Sequence, residues 1–524
     1  MIQSPQYPEQ IQRAHFLAFR DGISYNSGMS GKGHSIGHPR RDAQAPRVCL
    51  FNLGCYKNLV DAEVMLGRVA SSGASVCEDP READVLIVNT CCFIRPATRE
   101  SSNAIKAALQ LKRAGRLKKV IVAGCMAQKH GIGLLSRFPG VDAVVPLAHR
   151  DDIAAVCAAG SPSRLATAAA VTVGPPDDSG RLRLTCAHVA YLRISEGCDN
   201  RCSYCVVPSI RGPHRSRPAN AVLREARELV HDGARELILI AQDTAAYGMD
   251  TGGASQTHRL LESMAGLGRL RWIRLLYAHP AHISAELISA IADTAKVVRY
   301  LDMPVQHASD RVLRLMRRRT TARDLKNMVD RLRDRIPGIA LRTSVIVGFP
   351  GETAKDFDEL LAFIERARFE RLGAFEYSRE VGTAAARMPG RISARETRHR
   401  LDLVMALQRE NSFDYHQRLV GSDVQAIVDS VKRSGPSGAG RPSIGDRSAP
   451  TPVSCSGRRR PGKAPRAPDG RNDTDWFVGR TQADAPEVDG TITIEGRNLA
   501  PGDVVRVRVT AATEYDLHGV AMKT

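Results

Sequence analysis

The sequence has few aromatic residues and no long apolar run. Aromatics make up 5% of its 524 residues, which argues against a surface built from stacking platforms for bases. No apolar stretch approaches the roughly 18 residues that span a bilayer. The segment from Met1 to Arg20 also lacks the apolar core and small-residue cleavage site of a secretion signal. These absences predict a cytoplasmic protein that neither spans nor binds a membrane.

Cysteine is also sparse. Twelve cysteines are too few for a disulfide scaffold of this length, and their clustering favours metal binding in a reducing compartment. The formal net charge is +19, which is compatible with a ribosome, an RNA or another polyanion as partner, and equally with basic tails alone. The length of the chain predicts about three domains.

The sequence pattern changes several times along the chain. Residues 1–46 are polar and without periodicity, which is typical of a disordered extension. Short apolar runs alternate with helical stretches over 47–160, which predicts a parallel α/β domain. After a linker at 161–186 the alternation resumes over 187–420, and its six candidate strands predict a partial (β/α)6 barrel.

The last region, 421–524, alternates apolar and polar residues, as in VDGTITIEG and DVVRVRVTAA. This pattern predicts a small antiparallel β-barrel. A low-complexity basic insert at about 431–473 interrupts the pattern, and its composition is typical of disorder. The predicted fold class is therefore α/β, with an N-terminal parallel domain, a central partial barrel and a C-terminal antiparallel barrel.

Three cysteines stand close together at the start of the predicted barrel. We call Cys198, Cys202 and Cys205 the barrel triad. Three thiolates at this spacing can bind three irons of a four-iron cluster and leave the fourth open to a small molecule with an amino and a carboxylate group. The alternative is structural zinc, which needs a fourth ligand. His188 or His214 could supply it.

Three further cysteines each follow a predicted strand of the first domain. We call Cys55, Cys91 and Cys125 the N-terminal triad. Because the carboxyl ends of parallel strands lie side by side, we expect these cysteines to converge without a local motif. A single cysteine at a strand end is usually a small buried residue, but three equivalent positions predict a second metal site. Cys92 competes with Cys91 for the same role.

Several stretches together resemble the radical S-adenosylmethionine methylthiotransferases: NLGCYKNLVDAE, VNTCCFI, VAGCMAQ, SEGCDNRCSYCVVPSIRG, AQDTAAYG and VGFPGET. Others resemble the RimO-type branch of that family more than the tRNA-modifying MiaB-type branch: GCYKNLVDAE, RLLYAHP, YLDMPVQHASDRVLRLMRR, LRTSVIVGFPGET and DAPEVDG. The RimO-type branch methylthiolates an aspartate of ribosomal protein S-twelve. The resemblance covers about Arg47 to Val428 and the C-terminal segment.

The resemblance implies a role for each cysteine set. The barrel triad would hold the 4Fe-4S cluster that binds S-adenosylmethionine, and the N-terminal triad an auxiliary 4Fe-4S cluster tied to sulfur donation. The C-terminal segment would be most of a TRAM domain, interrupted by the insert. The sequence departs from the family pattern at Tyr56, where Pro is usual, and at Cys92, where Gly is usual.

Three other residues are candidates for contact with S-adenosylmethionine. Tyr204, inside the cysteine loop, packs either on the adenine or in the core. Gln242 ends a predicted strand, where barrel strands face an active site. Gly348 in VGFPGE either lets the backbone approach the nucleoside or forms an ordinary strand-to-helix turn.

Three functions remain open: a ribosomal protein methylthiotransferase, a tRNA methylthiotransferase, and a non-enzymatic metal-containing protein that binds RNA or the ribosome. The third needs closed four-ligand sites, against which two three-cysteine sets argue. Asp475–Thr524 has eight Asp/Glu against five Lys/Arg, which suits a basic protein partner, although the basic insert weakens this contrast. The resemblance further implies the small ribosomal subunit as partner, flavodoxin or ferredoxin as electron donor, and a monomer.

Overall fold

The computed structural model describes residues 45–159, 176–432 and 475–522. Nearly all of the predicted N-terminal extension and of the basic insert lies outside these ranges, as does most of the linker. The described chain contains a five-stranded parallel sheet, a six-stranded parallel sheet and a closed five-stranded barrel. This confirms the predicted fold class. Among the described helices, none is long and apolar enough to cross a membrane.

The first sheet has the strand order β2-β1-β3-β4-β5, with every pair parallel. Its strands are β1 (Arg47–Asn52), β2 (Ser75–Val76), β3 (Val85–Thr90), β4 (Lys119–Gly124) and β5 (Ala143–Val145). Its helices are α1 (Tyr56–Ser71), α2 (Arg95–Arg113), α3 (Cys125–His130), α4 (Gly133–Arg137) and α5 (Ile153–Ala158). The central strand β3 is buried along its whole length, because a parallel sheet covered by helices on both faces requires apolar strands.

The second sheet runs in chain order from β6 to β13 and is open, so it forms the predicted partial barrel. The strands of this region are β6 (Val189–Arg193), β7 (Ser195–Glu196), β8 (Arg215–Ser216), β9 (Glu236–Ile240), β10 (Trp272–Leu275), β11 (Val297–Asp302), β12 (Ala340–Val347) and β13 (Arg371–Glu376). Strands β7 and β8 pair separately with each other.

The barrel helices are α6 (Val207–Arg211), α7 (Ala219–His231), α8 (Met249–Gly252), α9 (Thr257–Ala265), α10 (Ala285–Asp293), α11 (Asp310–Leu315), α12 (Ala322–Arg335), α13 (Ala354–Ala367) and α14 (Ala394–Leu419). Two of them begin at capping boxes. Thr321 starts α12 and Thr353 starts α13, and each exchanges hydrogen bonds with the aspartate three residues later. The Thr353 cap fixes the end of the loop that follows β12, and the Thr321 cap fixes the end of the connection between α11 and α12.

The C-terminal barrel has the closed order β14-β15-β16-β18-β17. Its strands are β14 (Asp423–Lys432), β15 (Asp475–Thr481), β16 (Ile492–Gly496), β17 (Val504–Ala512) and β18 (Leu517–Ala521). Strands β14 and β15 pair antiparallel up to Lys432 and Trp476. The segment 433–474 therefore connects two hydrogen-bonded neighbours at a hairpin end, and the barrel closes despite it.

Candidate functional site

The N-terminal triad converges at the carboxyl edge of the first sheet. Cys55 precedes α1, Cys91 follows β3, and Cys125 is the first residue of α3 after β4. A Cβ atom on Gly54 would lie 2.6 Å from the Cβ of Cys91, so the first two loops touch. Burial raises the pKa of Cys125 to about 11, and burial and the two neighbouring cysteines raise the pKa of Cys91 well above its usual value. These thiols need a metal to bind them as thiolates.

One asparagine of α1 connects the three loops that carry the N-terminal triad. The Asn58 amide donates to the carbonyl of Leu53 at 2.5 Å and to that of Thr90 at 3.3 Å. Its oxygen accepts from the Cys125 thiol at 3.8 Å. Asn58 is completely buried, so these contacts fix the relative positions of the loops.

Cys92 lies in the apolar core of the N-terminal domain. Its exposure is 0%, and it belongs to the buried cluster that includes Ile105 and Val120. Burial raises its pKa to about 12. Cys125 of the triad belongs to the same cluster, and Cys91 lies against Gly54 beside the other two cysteines of the triad. The assignment of Cys91 over Cys92 as a ligand stays a prediction.

The barrel triad occupies a loop that begins at Gly197, directly after β7. Gly197 has a φ of 77°, and a Cβ atom there would lie 1.9 Å from the carbonyl oxygen of Pro213. The Cys198 amide donates to the carbonyl of Gly212 at 3.1 Å. Farther along the loop, Ser203 donates through its amide to the carbonyl of Met316 at 3.0 Å. The loop is thus held at both ends by backbone contacts.

An arginine lies beside one thiol of each triad, buried in the case of Arg211 and half-buried in the case of Arg318. Arg211 Nη2 donates to Cys125 Sγ at 3.3 Å, and Arg318 Nη1 lies 3.9 Å from Cys202 Sγ. Burial raises the pKa of Cys198 to about 11 and that of Cys205 to about 12. Hydrogen bonds from guanidinium groups stabilise negative charge on sulfur once a metal has displaced the protons.

Neither cysteine triad is a ready-made site for a single ion. In the described residues, one group of three side chains brings its candidate ligand atoms within 4.8 Å of one another, namely Asp243, His279 and His282. Neither cysteine triad is so compact. A zinc ion holds its ligands at roughly 2.0–2.3 Å and so draws them close together, whereas four irons keep the cysteine sulfurs apart. The donor set of each triad, three cysteine thiols, is the one that a 4Fe-4S cluster with an open iron uses.

The histidines considered as a fourth zinc ligand are engaged elsewhere. His188 precedes β6, at the opposite end of that strand from the barrel triad, and its Nε2 lies 2.8 Å from a carboxylate oxygen of Asp429 in the C-terminal barrel. His214 lines a cavity with Cys198, and its Nε2 lies 3.2 Å from Ser216 Oγ. Among the described residues, no compact group of candidate ligands joins either histidine to the barrel triad.

Two of the three candidates for contact with S-adenosylmethionine lie at carboxyl ends of barrel strands. Gln242 follows β9, donates to Glu196 Oε1 at 3.0 Å, and leaves its own amide oxygen buried without a partner. Gly348 follows β12 with a φ of 74°, and a Cβ atom there would lie 2.4 Å from Thr397 Oγ1 of α14. Close packing on α14 is therefore a sufficient reason for glycine at 348. Both contacts with the cofactor stay predictions.

Tyr204 packs beside the cysteine loop. Its ring meets Phe349 edge to face, with centroids 6.5 Å apart, and it lies against the small apolar cluster that includes Val312 and Met316. The core-packing alternative therefore describes most of its contacts. Its predicted contact with adenine stays a prediction.

Sequence reasoning missed a chain of buried charges that runs between the two triads. Arg211 donates to Cys125 Sγ, to Asp61 at 2.9 Å and to Glu196 at 3.1 Å. Glu196 in turn accepts from Gln242. Burial alone raises the pKa of Asp61, but the surrounding guanidinium groups lower it to about 2. Acidic and basic residues far apart in sequence give no pairing signal, so only the fold reveals this connection.

Sequence reasoning also missed Lys57, two residues after Cys55. Its side chain crosses to the barrel, where Nζ lies 3.3 Å from the centroid of the Tyr277 ring. Tyr277 follows β10 at the carboxyl end of the barrel strands. The N-terminal triad and the barrel mouth are therefore connected by a lysine as well as by Arg211.

Three family models match the chain, and the residue ranges that they match correspond to the two parallel sheets and the C-terminal barrel. The model described as uncharacterized protein family UPF0004 matches residues 47–146, the radical SAM superfamily matches 192–364, and the TRAM domain matches 469–522. A solved radical S-adenosylmethionine methyltransferase, TsrM from Kitasatospora setae, matches with a TM-score of 0.47 and 15% identity, over 65% of this chain and 74% of that chain.

Curated relatives match nearly the whole chain. The ribosomal protein uS12 methylthiotransferase RimO of Geobacter sulfurreducens is 42% identical over 90% of this chain and 98% of its own length. The protein of the same name from Anaeromyxobacter sp. is 40% identical over 91% of this chain and 93% of its own length. Sequence identity of 42% and 40%, over 90% or more of this chain and of each relative, establishes common descent and a common fold. This chain therefore belongs to the RimO family of radical S-adenosylmethionine methylthiotransferases.

Proposed function

We propose that this enzyme adds a methylthio group to the β-carbon of an aspartate of ribosomal protein uS12. The relatives that align with it over nearly their whole length are named for uS12 methylthiotransfer. The observation that carries the proposal is the pair of cysteine triads, joined through Arg211 and Glu196 at the mouth of one barrel. A reaction that needs both radical chemistry and a sulfur source requires such a pair.

Each triad holds one 4Fe-4S cluster. The barrel triad would leave one iron open to the amino and carboxylate groups of S-adenosylmethionine, and the N-terminal triad would hold the auxiliary cluster. When bound, these groups supply hydrogen-atom abstraction from an unactivated carbon, a methyl group and sulfur. Protein residues cannot supply that chemistry, because the β-carbon carries no acidic proton.

The protein's own residues position and shield these groups. Gln242 and Gly348, which follow β9 and β12, and Tyr204 in the cysteine loop are the residues expected to contact the nucleoside. Tyr56 of the N-terminal domain stacks on Tyr191 of β6, with ring centroids 4.2 Å apart. The N-terminal domain thereby packs against the barrel.

The C-terminal barrel is the expected docking module for the substrate protein. Its acidic balance complements a basic ribosomal protein and would repel the phosphates of a tRNA. We therefore favour uS12, free or in the small ribosomal subunit, over a tRNA substrate of the MiaB type. The enzyme would act as a monomer in the cytoplasm, where ribosomes are assembled.

An electron donor such as flavodoxin or ferredoxin would dock beside the barrel triad. Three exposed arginines lie near Cys202. Arg201 precedes it in the sequence, and Arg317 and Arg319 flank Arg318, whose side chain contacts it. Such carriers are acidic, so this cluster of positive charge would orient them. Electron transfer also favours the shortest path to the cluster.

The test is mass spectrometry of ribosomal proteins and tRNA from a strain that lacks this gene. We expect uS12 to lose the mass of one methylthio group at a single aspartate, and tRNA to be unchanged. Restoring the gene should restore the modification, and a barrel-triad variant should not. Loss of a methylthio group from tRNA with uS12 unaffected would establish the tRNA alternative.

A further inference from the structure

Helix α6 belongs to the barrel in sequence but packs in the core of the N-terminal domain. It continues the loop of the barrel triad, because Cys205 precedes its first residue by two positions. Val206 and Ile210 are 4% and 3% exposed and belong to the same buried cluster as Cys125 and Met126. The helix also contacts α3, which begins at Cys125. A single helix of five residues therefore joins the loops of both triads.

The two ends of α6 contact sulfur atoms of different triads. At its first residue, the Val207 amide donates to Cys205 Sγ at 3.4 Å. At its last residue, Arg211 Nη2 donates to Cys125 Sγ at 3.3 Å. The position of Cys125 relative to the barrel triad is thus fixed through this helix.

Two carboxylates hold the guanidinium of Arg211 in this orientation. Its Nη1 donates to both carboxylate oxygens of Glu196 at 3.1 Å, and its Nη2 donates to Asp61 Oδ2 at 2.9 Å. The residue is 5% exposed. Because the guanidinium is planar and its donors form a rigid fork, these contacts direct the second N–H of Nη2 at Cys125.

Both carboxylates have other partners besides Arg211. Asp61 also accepts from Arg193, and Glu196 also accepts from Arg193 and Gln242. The buried negative charges would therefore keep compensating contacts if the Arg211 side chain were removed. The contact with sulfur is the one that its removal would leave without a replacement of the same kind.

A hydrogen bond from a guanidinium to a cluster ligand has two physical effects. Reduction of a 4Fe-4S cluster adds negative charge, which a nearby cation and N–H donor stabilise. Such contacts to the sulfurs therefore raise the reduction potential of the cluster. The same contact anchors the sulfur, and with it the cluster, to the element that carries the donor.

We propose that Arg211 is a positioning residue for the auxiliary cluster, which anchors Cys125 to α6 beside the barrel triad and raises the reduction potential of that cluster. The inference rests on the proposed function, since it takes Cys125 as a ligand of the auxiliary cluster. Arg211 acts through the Cys125 thiolate. Without it, the sulfur supplied by the auxiliary cluster would be placed less accurately, and more 5′-deoxyadenosine would form for each methylthio group transferred.

The test measures the auxiliary cluster alone, in the full-length chain with the barrel triad changed to alanine. Iron content and the midpoint potential, from a redox titration followed by electron paramagnetic resonance, are compared with and without Arg211→Met or Arg211→Lys. Arg150→Met is the matched control. Arg150 is 6% exposed and donates to Asp61 and Asp178, so this change removes a buried cation bound to the same Asp61 but leaves the donor to sulfur.

Arg211→Met should retain the auxiliary iron and lower the midpoint potential. We expect a change of about tenfold in the one-electron equilibrium, which corresponds to about 59 mV. Arg211→Lys should recover part of the shift, because lysine restores the charge but not the rigid fork. Arg150→Met should leave the potential nearly unchanged.

A second measurement uses the enzyme with both triads intact. The amount of 5′-deoxyadenosine formed for each modified uS12 should rise severalfold in Arg211→Met and less in Arg211→Lys, and Arg150→Met should match the natural enzyme. An unchanged ratio in Arg211→Met would remove the positioning role.

Three further results would overturn the inference. The first is a midpoint potential that does not move in any Arg211 variant that retains the auxiliary iron. The second is an equal shift in Arg150→Met, which would assign the effect to the lost charge and not to the contact with sulfur. The third is loss of the auxiliary iron from both Arg211 variants, which would assign Arg211 to folding of the site. The potential is measured without substrate, so it decides this inference even if tRNA, and not uS12, proves to be the modified molecule.

Discussion

At the scale of single residues, the site depends on side chains that contact both domains at once. Arg211 donates to a thiol of the N-terminal triad and to carboxylates of α1 and β7. Tyr56 stands where the family pattern has proline, and the structure gives it two contacts that proline lacks. It stacks on Tyr191, and its hydroxyl donates to the carbonyl of Pro486 at 2.8 Å. A single position thus joins all three domains.

The cysteine triads should be separable by mutation. Changing the barrel triad to alanine should leave about half of the iron and abolish cleavage of S-adenosylmethionine to 5′-deoxyadenosine. Changing the N-terminal triad should also leave about half of the iron and retain that cleavage, but stop methylthio transfer to uS12. Iron analysis and chromatography of the nucleoside measure both effects. Continued 5′-deoxyadenosine formation without the barrel triad would show the assignment to be wrong.

Cys92→Ala is the matched control for that experiment. Cys92 adjoins Cys91, but it packs in the core. The variant should keep both clusters and lose only about 1 kcal/mol of unfolding free energy, as small core truncations do. Loss of the auxiliary cluster in Cys92→Ala, together with a harmless Cys91→Ala, would reverse the choice between the two residues.

At the scale of elements, strand ends and the turns after them position the chemistry. The three cysteines of the N-terminal triad follow β1, β3 and β4, which are neighbours in the sheet. The barrel triad begins where the chain leaves β7 through a left-handed glycine. Parallel strands bring their carboxyl ends to one edge, so successive loops form one site. The positions of the cysteine ligands therefore depend on the geometry of the turns after the strands more than on helix or strand propensity.

Gly197→Ala should remove the barrel cluster. The added methyl group would meet the carbonyl of Pro213 at 1.9 Å, and backbone cannot move aside cheaply. Gly73→Ala is the matched control, because Gly73 has a similar φ of 85° and nothing within 4 Å. The control should lose about 1–2 kcal/mol of stability and keep its iron. If both variants bind iron equally, the cysteine loop tolerates displacement and the argument fails.

The basic insert should be dispensable for the chemistry. It joins β14 to β15 at a hairpin end, where a short turn can replace it. A protein in which Asn-Gly replaces residues 433–474 should keep its melting temperature and its cleavage of S-adenosylmethionine. Its association with ribosomes, measured by sedimentation, should weaken mainly at low salt, because lysine and arginine act on phosphates. Unfolding of the C-terminal barrel in this protein would contradict the prediction.

At the scale of the whole molecule, buried polar contacts hold the C-terminal barrel against the rest. Arg371 of β13 contacts Asp484 of the C-terminal domain, and Arg480 of β15 contacts Glu236 of β9. His416 near the end of α14 accepts from Arg371 at Nε2 and donates through Nδ1 to the carbonyl of Thr513. This pattern of hydrogen bonds requires the neutral imidazole, so the docking of the barrel depends on pH.

Lowering the pH should reduce the free energy of unfolding, because it protonates His416. Burial, and then the charge of Arg371, lower the pKa of His416 to about 4 from the usual 6.5. Between these values the unfolded chain binds a proton that the folded chain does not, so stability is complete above about pH 6.5 and decreases as the pH falls. At about pH 5 the loss from this residue should reach about 2 kcal/mol.

Denaturant unfolding of the metal-free protein between pH 7 and pH 5 measures this effect. His416→Gln should show a smaller decrease over that range, because glutamine does not titrate. His231→Gln, whose side chain is 88% exposed, should behave like the natural protein. If the unfolding free energy depends on pH in the same way in all three proteins, His416 is not the cause of the pH dependence.

The sequence by itself determined the three folded regions, the two cysteine triads and the convergence of the N-terminal triad. These follow from local periodicity, short spacings and the rule that parallel strands share an edge. Only the tertiary structure decided that Arg211 reaches from Cys125 to Glu196, and that Lys57 reaches Tyr277. Such contacts join residues far apart in the chain, and their energies depend on burial, which a linear pattern does not encode.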